Sequence, residues 1–176
     1  MTRYALFLRG VNVGGVNLKM AEVAAALTEA GFGAVRTLLA SGNVLVDSPA
    51  TAATVRSTAE AALRERFGYQ AWVLVYDVET VGEIVAAYPY EAEAPGLHSY
   101  VTFVADDAAL GELSALAADT DEKITAGNGV IYWQIPKGDT LTSVVGKTMG
   151  KQRYKSSTTT RNLRTLSKVL HAAAPR

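Results

Sequence analysis

The sequence contains no cysteine, which excludes disulfides, thiolate nucleophiles and cysteine-based zinc sites at once. It also lacks long apolar runs, because the apolar stretch nearest the N-terminus, residues 4–8, is far too short for a signal segment or a membrane span. The lack of cysteine fits a reducing compartment, and nothing suggests export. We therefore expect a cytoplasmic protein that does not associate with membranes.

Hydrophobic residues make up 49% of the chain and charged residues 19%, which is typical of a globular protein. The formal net charge is zero, yet the two ends of the chain differ in sign. Residues 1–136 carry eight basic and sixteen acidic side chains, whereas residues 137–176 carry nine basic side chains and one acidic one. This asymmetry indicates a basic surface that meets either an anionic partner or the protein's own acidic half.

The first half of the chain combines short apolar runs with segments of helical spacing. Gly31 lies where a helix-ending glycine is expected, and residues 40–43 (Ala-Ser-Gly-Asn) have the composition of a hairpin turn. The predicted strands are residues 3–9, 34–39, 44–47 and 70–76, and the predicted helices are residues 20–30 and 51–67. The order βαββαβ is the ferredoxin-like arrangement, and we expect Gly42 to adopt a positive φ in the turn.

The second half repeats part of this order. Its predicted strands are residues 99–105, 122–126 and 130–135, and its predicted helices are residues 77–87, 107–118, 140–149 and 161–173. We expect Thr160 to cap the last helix. The sequence thus predicts an α+β protein, with a ferredoxin-like βαββαβ subdomain over residues 1–76. A second, smaller α+β subdomain with a basic C-terminal helix is predicted over residues 77–176.

A glycine-rich segment, residues 9–17 (Arg-Gly-Val-Asn-Val-Gly-Gly-Val-Asn), connects the first predicted strand to the first helix. In that geometry backbone N–H groups and the helix dipole can hold an anion. The segment is not a Walker A loop, because Val16 stands where lysine is needed, and it does not match the dinucleotide-binding glycine pattern. The alternative is that its glycines only supply turns and close packing.

The ferredoxin-like topology brings this segment near the hairpin, because the third strand returns between the first two, which run parallel. We therefore predict a site for a small anionic or polar ligand at this edge of the sheet. Its predicted residues supply cations, amides, a hydroxyl and backbone donors: Arg9, Asn12, Gly14, Gly15, Asn17, Lys19, Ser41, Gly42 and Asn43. Ser41 is disfavoured as a nucleophile, because neither His98 nor His171 is placed to activate it.

A basic segment lies late in the chain, with hydroxyl side chains and Tyr154 among its cations. Its predicted binding residues are Lys151, Arg153, Lys155, Thr160, Arg161 and Asn162. Lysine and arginine neutralise phosphates, hydroxyls position them, and a tyrosine can stack on a base, so the segment is typical of nucleic-acid contact. The alternative is a solvated helix face and a linker that docks on the protein's acidic half.

Three separated motifs carry a resemblance to a known family: residues 9–17, Ser-Gly-Asn at 41–43 and Thr-Thr-Arg-Asn at 159–162. In this order they resemble the bacterial family catalogued as domain of unknown function 1697, over nearly the whole chain. The sequence departs from the family pattern at Val16, where lysine or histidine is common, and at Leu163, where tryptophan is common. The resemblance implies a ferredoxin-like subdomain with an α+β companion and brings no established reaction.

From the residues we expect a protein that binds a phosphate-bearing ligand such as a nucleotide or RNA, with turnover an open alternative and no catalytic residue assigned. Its expected partners are accordingly a phosphorylated small molecule or a nucleic acid. The other hypothesis is a non-catalytic interaction module, whose basic tail is an intramolecular clasp or an oligomer contact. No cofactor is indicated, and the acidic clusters lack the histidine and the spacing of a metal site.

Overall fold

The computed structural model describes residues 1–9, 17–39, 41–118, 120, 122–139 and 143–175. Its contacts divide the chain into two units, Met1–Val81 with Val169–Arg176, and Gly82–Lys168. Helices and two antiparallel sheets make up both units, so the α+β class is confirmed. In the described ranges, no helix is both long enough and apolar enough to cross a membrane.

The first unit is built on a four-stranded antiparallel sheet. Its elements are β1 (Thr2–Arg9), α1 (Met20–Glu29), β2 (Gly33–Leu38), β3 (Asn43–Ser48), α2 (Ala52–Phe67) and β4 (Trp72–Asp77). The strand order is β2-β3-β1-β4, in which β1 pairs with β3 on one side and β4 on the other. This is the ferredoxin-like βαββαβ arrangement, as the sequence predicts for this part of the chain.

The helices of the first unit cover one face of its sheet. Leu6 and Leu8 of β1 belong to the same buried cluster as Leu27 of α1 and Leu63 of α2. Side chains two positions apart on a strand share a face, so the spacing of the two β1 leucines determines which face meets the helices. Each buried leucine contributes about 1.5–3 kcal/mol to folding, and a one-residue shift in register would move this row to the opposite face of the sheet, away from the helices.

The second unit has the same topology. Its elements are β5 (Leu97–Val104), α4 (Asp107–Ser114), β6 (Lys123–Ala126), β7 (Val130–Pro136), α5 (Val144–Met149) and β8 (Thr158–Asn162). Two helices contribute residues to both units: α3 (Val78–Ala86), which leads into the second, and α6 (Leu163–Ala173), which begins in it. The strand order is β6-β7-β5-β8, with antiparallel pairing throughout. Counted within the unit, this order equals that of the first sheet. The α+β companion is therefore a second βαββαβ arrangement, followed by α6.

The predicted capping role of Thr160 is wrong. Thr160 lies within β8 opposite Thr102 of β5, and their hydroxyl oxygens share a hydrogen bond of 2.8 Å. Helix α6 begins at Leu163, and Asn162 caps it by accepting a hydrogen bond of 2.8 Å from the Arg164 N–H to its Oδ1. A strand made of threonine, arginine and asparagine has no apolar alternation, so its pattern gives no signal and pairing with β5 decides its conformation.

Both hairpins close on a glycine with positive φ. Gly42, between β2 and β3, has a φ of 86°, which confirms the sequence-based expectation, and Gly129, between β6 and β7, has a φ of 72°. Leu39, on the other side of the first turn, also has a positive φ, of 60°. A residue with a Cβ in this region costs about 1–3 kcal/mol, so the surrounding structure must impose this conformation.

Gly42→Ala is expected to lower the free energy of unfolding by about 1–2 kcal/mol, because a Cβ at this φ approaches the following carbonyl oxygen. Gly111→Ala is the matched control, since an added Cβ on this α4 residue has no atom within 4 Å. The control should raise the free energy of unfolding by about 0.5–1 kcal/mol. Urea denaturation measures both values. A Gly42→Ala protein as stable as the parent would contradict the assigned turn.

Asn162→Ala is expected to lower the free energy of unfolding by about 1 kcal/mol, because α6 loses its side-chain cap. Asn162→Asp keeps an acceptor oxygen at the same position and should retain the stability of the parent. Thermal unfolding followed by circular dichroism compares the three proteins. Coincident curves for Asn162→Ala and the parent would show that α6 does not depend on this cap.

Candidate functional site

The end of β1 lies between the β2–β3 hairpin and the start of β4. Arg9, the last residue of β1, is opposite Trp72, the first residue of β4. The neighbouring Leu8 N–H donates a hydrogen bond of 2.8 Å to the Gly42 carbonyl oxygen. The backbone thus brings Arg9 and the hairpin turn together at one edge of the sheet.

Arg9 is half-buried at this edge. Burial lowers the pKa of its guanidinium, because the charged form loses hydration. Arginine nevertheless stays charged in proteins, so the fold maintains a partly dehydrated cation here. Arg9 already has an interaction partner within the protein, as do Ser41, Gly42 and Asn43. An anion bound here would therefore contact residues that the protein's own interactions already hold in place.

The buried side chain of Asn43 stabilises the hairpin through hydrogen bonds to residues of the turn and of β2. Its side chain is fully buried, and its Nδ2 donates hydrogen bonds to the Leu38 carbonyl oxygen at 3.0 Å and to the Ser41 Oγ at 2.9 Å. The amide therefore positions Ser41 and presents no surface to solvent. Ser41 is exposed, so it is the hairpin side chain, of those predicted for the site, that a ligand can reach.

The predicted residues of the β1–α1 connection fall into two groups. Three of them lie outside the described residues: Asn12, Gly14 and Gly15. Asn17 and Lys19 are described and exposed, and Lys19 precedes α1 without capping it through its side chain. Leu18 between them is buried in the cluster that joins the sheet to the helices. An anchored leucine thus holds two exposed polar side chains at the start of α1.

The second unit has a corner equivalent to this one. The Val104 N–H donates a hydrogen bond of 2.9 Å to the Gly129 carbonyl oxygen, as the Leu8 N–H does to Gly42 in the first unit. In both units this bond ties the end of the first strand to the hairpin between the second and third. The two corners can therefore be compared residue by residue.

The connections at the two corners differ greatly in length. Ten residues separate the end of β1 at Arg9 from the start of α1 at Met20. Two residues separate the end of β5 at Val104 from the start of α4 at Asp107. Two residues are therefore enough to close this corner, and the additional length of the first connection is not a requirement of the topology. Long connections on a rigid scaffold are where binding residues concentrate.

Trp72 and Arg64 also lie at this edge, although the sequence pattern does not single them out as site residues. The Arg64 guanidinium is 4.7 Å from the centroid of the Trp72 ring, and its Nε and Nη2 donate hydrogen bonds of 3.1 and 2.8 Å to the Ala71 carbonyl oxygen. Trp72 is half-buried beside Arg9, whereas a strand tryptophan is expected in the core. This cation–π pair gives the edge an aromatic surface next to two arginines. The feature of the sequence that could have indicated a role for Trp72 is its position as the first residue of a strand.

The edge is rich in cations and hydrogen-bond donors. Guanidinium, ammonium, hydroxyl and backbone N–H groups are donors that suit phosphate or carboxylate oxygens, whereas hard metal ions require several oxygen ligands. Across the part of the chain that the structure describes, no group of three or more histidine, aspartate or glutamate side chains is placed to hold a metal ion.

The exposed part of the basic segment lies in the second unit, and its side chains differ in environment. Lys151 and Lys155 are exposed, whereas Arg153 forms an ion pair with Glu112 of α4. Tyr154 is buried, and its hydroxyl donates a hydrogen bond of 2.8 Å to Glu112 Oε2. The expectation that Tyr154 stacks on a base is therefore wrong, because its ring is packed into the protein.

The remaining predicted residues of the basic segment form β8. Arg161 is buried and donates hydrogen bonds to the Thr159 Oγ1 at 2.8 Å and to the Thr160 carbonyl oxygen at 2.9 Å. Thr160 is bonded to Thr102 across the sheet, and Asn162 caps α6. These contacts stabilise the strand and the start of the helix. Lys151 and Lys155 are the predicted cations of this segment that face solvent without a described ion pair.

Comparison with known proteins identifies a fold and a family. The solved structure of the conserved bacterial protein SP0830 from Streptococcus pneumoniae is similar over 98% of this chain and 98% of that chain, with a TM-score of 0.81 and 22% sequence identity. At this identity the similarity concerns the fold. Among curated proteins, none matches the chain. A family model described as protein of unknown function (DUF1697) matches residues 1–132, well over half of the sequence, and the chain belongs to this family.

Proposed function

We propose that the protein binds a phosphate-bearing ligand, such as a nucleotide or RNA, in the cytoplasm. The site is the edge formed by Arg9, the β2–β3 hairpin and the start of α1. The observation that carries this proposal is the half-buried Arg9 at the beginning of a connection eight residues longer than its counterpart in the second unit. A guanidinium engages phosphate oxygens through paired N–H donors, and partial dehydration strengthens that interaction.

The surroundings of Arg9 match the two chemical parts of a nucleotide. Lys19, just before α1, and the Ser41 hydroxyl, in the β2–β3 hairpin, are exposed donors for phosphate oxygens. Trp72, with Arg64 against its ring, is an aromatic group on the opposite side of Arg9, and bases stack on such groups. These placements support a ligand that carries both a phosphate and a flat ring.

Binding, rather than turnover, is the activity that the hairpin contacts support. Ser41 Oγ accepts a hydrogen bond from the Asn43 amide. An amide N–H is a donor and cannot take up a proton, so this contact does not activate the serine as a nucleophile. We therefore assign no catalytic residue.

A second candidate function is an interaction module in which the basic segment acts as an intramolecular clasp. It is favoured by Arg153, which pairs with Glu112, and by Arg164, which pairs with Glu93 at 3.3 Å. Both carboxylates come from the acidic part of the chain, residues 1–136. In this interpretation the tail neutralises the protein's own surface, and Lys151 and Lys155 remain for an oligomer contact.

Thermal shift measurements test the leading proposal. At a ligand concentration 100-fold above the dissociation constant, binding stabilises the folded state by about 2.7 kcal/mol. For a chain of this length the melting temperature should rise by roughly 5–10 °C. The probes are adenosine and guanosine mono-, di- and triphosphates, a sugar phosphate and a short oligoribonucleotide. We expect at least one to shift the parent, and Arg9→Gln to abolish that shift.

Two further variants make this test decisive. Arg66→Gln removes an exposed arginine of α2 in the same unit and should respond like the parent. Deletion of residues 11–16 shortens the connection toward the length found in the second unit, so the variant should fold and yet fail to respond. The proposal would be overturned if no phosphorylated probe shifted the parent, or if the folded deletion variant responded fully.

Salt dependence separates the two candidate functions of the basic segment. If Lys151 and Lys155 contact a nucleic acid, alanine at both should reduce the slope of log affinity against log salt by roughly 0.7–0.9 per lost phosphate contact. If the segment is a clasp, oligonucleotide affinity should not change in this variant. Glu112→Gln should then lower the melting temperature, because Arg153 and Tyr154 both lose charge-assisted contacts. Fluorescence anisotropy and thermal unfolding provide the two readouts.

A further inference from the structure

A separate cavity lies in the second unit, where β5, the end of β7 and the start of α6 meet. Its volume is about 140 Å³, and its lining includes six side chains with polar or charged groups: Glu93, His98, Ser99, Lys137, Asn162 and Arg164. None of these belongs to the β1 edge. Three are basic and one is acidic, so the cavity has an excess of positive groups.

The basic groups of the cavity come from three different elements. His98 is on β5, Lys137 follows β7 and Arg164 is in the first turn of α6. The Lys137 N–H donates a hydrogen bond of 3.0 Å to the Gly96 carbonyl oxygen, which ties the backbone after β7 to the segment before β5. The fold thus brings together cations that are distant in the sequence.

Two of the basic groups have no polar side-chain partner in the described ranges. Neither the Lys137 ammonium nor the His98 ring nitrogens take part in a described hydrogen bond or ion pair, and the ring of His98 contacts that of Tyr100. A histidine ring offers a donor in either protonation state, because at least one nitrogen carries a proton. Both groups are therefore available to a ligand.

Arg164 is available as well, because its present ion pair is weak. It lies 3.3 Å from Glu93, and the two side chains are 74% and 70% exposed. Exposed ion pairs contribute little to stability, so a better partner can replace Glu93 at small cost. Arginine binds phosphate through its planar fork and lysine as a point charge, which makes the pair of Arg164 and Lys137 suited to a compact oxyanion.

The wall of the cavity is held by hydrogen bonds. Ser99 Oγ donates to the Ala92 carbonyl oxygen at 3.2 Å and accepts from Gln134 Nε2 at 3.0 Å. Asn162 belongs to the lining, its Oδ1 accepts from the Arg164 N–H, and no described hydrogen bond uses its Nδ2. The charged side chains thus surround a rigid polar wall.

We propose that this cavity binds a phosphate group, with Lys137 and Arg164 as its charged partners and His98 and Asn162 as additional donors. The volume is well below the roughly 300–1,000 Å³ of pockets for drug-sized molecules, so the phosphate alone enters and any attached group stays outside. Glu93 then competes with the ligand for Arg164. This site is independent of the proposed function of the β1 edge.

The competition from Glu93 gives the proposal a distinctive test. Inorganic phosphate is titrated into the full-length protein at constant ionic strength, with sodium chloride as the compensating salt, and binding is measured by calorimetry. Lys137→Ala and Arg164→Ala should each weaken binding about tenfold, the usual effect of losing one charge-assisted hydrogen bond. Glu93→Gln should instead tighten binding severalfold, because a competing carboxylate is removed.

Controls separate this site from general electrostatic attraction and from the β1 edge. Lys147→Ala removes an exposed lysine of the same unit that is outside the cavity and should leave the affinity unchanged. Arg9→Gln should leave the effects of the cavity variants unchanged even if it removes a second binding event. The proposal would be overturned if phosphate did not bind, if Glu93→Gln failed to tighten binding, or if Lys147→Ala weakened binding as much as Lys137→Ala.

Discussion

The position of β1 between β3 and β4 is the constraint on which the candidate site depends. Both edges of β1 are occupied by backbone hydrogen bonds, and its side chains from Tyr4 to Leu8 are buried. A shift of one residue would move every β1 side chain to the opposite face of the sheet. Because both faces are packed, such a shift is unfavourable and the register is held. Arg9, the next residue, is therefore held beside Gly42 on one side and Trp72 on the other.

Because the two units have the same strand order, comparing them shows which features the topology requires. The bond from Leu8 to Gly42 and the bond from Val104 to Gly129 place both hairpins in the same way. Their first βα connections nevertheless differ by eight residues. Because a two-residue connection satisfies the same geometry, the glycine-rich connection reflects something other than the fold. The additional length of the first connection favours the first corner as the place of the proposed ligand.

The opposite charges of the acidic and basic parts of the chain partly neutralise each other through ion pairs within the second unit. Arg153 and Arg164 pair with glutamates from the acidic part of the sequence, and Arg161 is buried in β8. Within the basic segment the fold thus buries Arg161 and pairs Arg153 and Arg164 with glutamates at the surface, whereas Lys151 and Lys155 are exposed without a described ion pair. Net charge along a sequence consequently overstates the basic surface, because it counts cations that the structure has already paired or buried.

Local patterns in the sequence determined the first βαββαβ arrangement, since its strands and helices have clear apolar periodicity and its turn contains a glycine that needs a positive φ. They also determined that Arg9 and the hairpin share an edge, because strand order follows from this topology. The second βαββαβ arrangement depended on β8, whose polar residues carry no periodic signal and become a strand by pairing with β5. Tertiary structure alone decided that Asn43 is buried behind Ser41, that Trp72 lies beside Arg9 and that Asn162 rather than Thr160 caps α6. Although the hydrogen bonds of Asn43 and Asn162 are local, all three outcomes follow from strand pairing between residues distant in sequence, which local propensity does not contain.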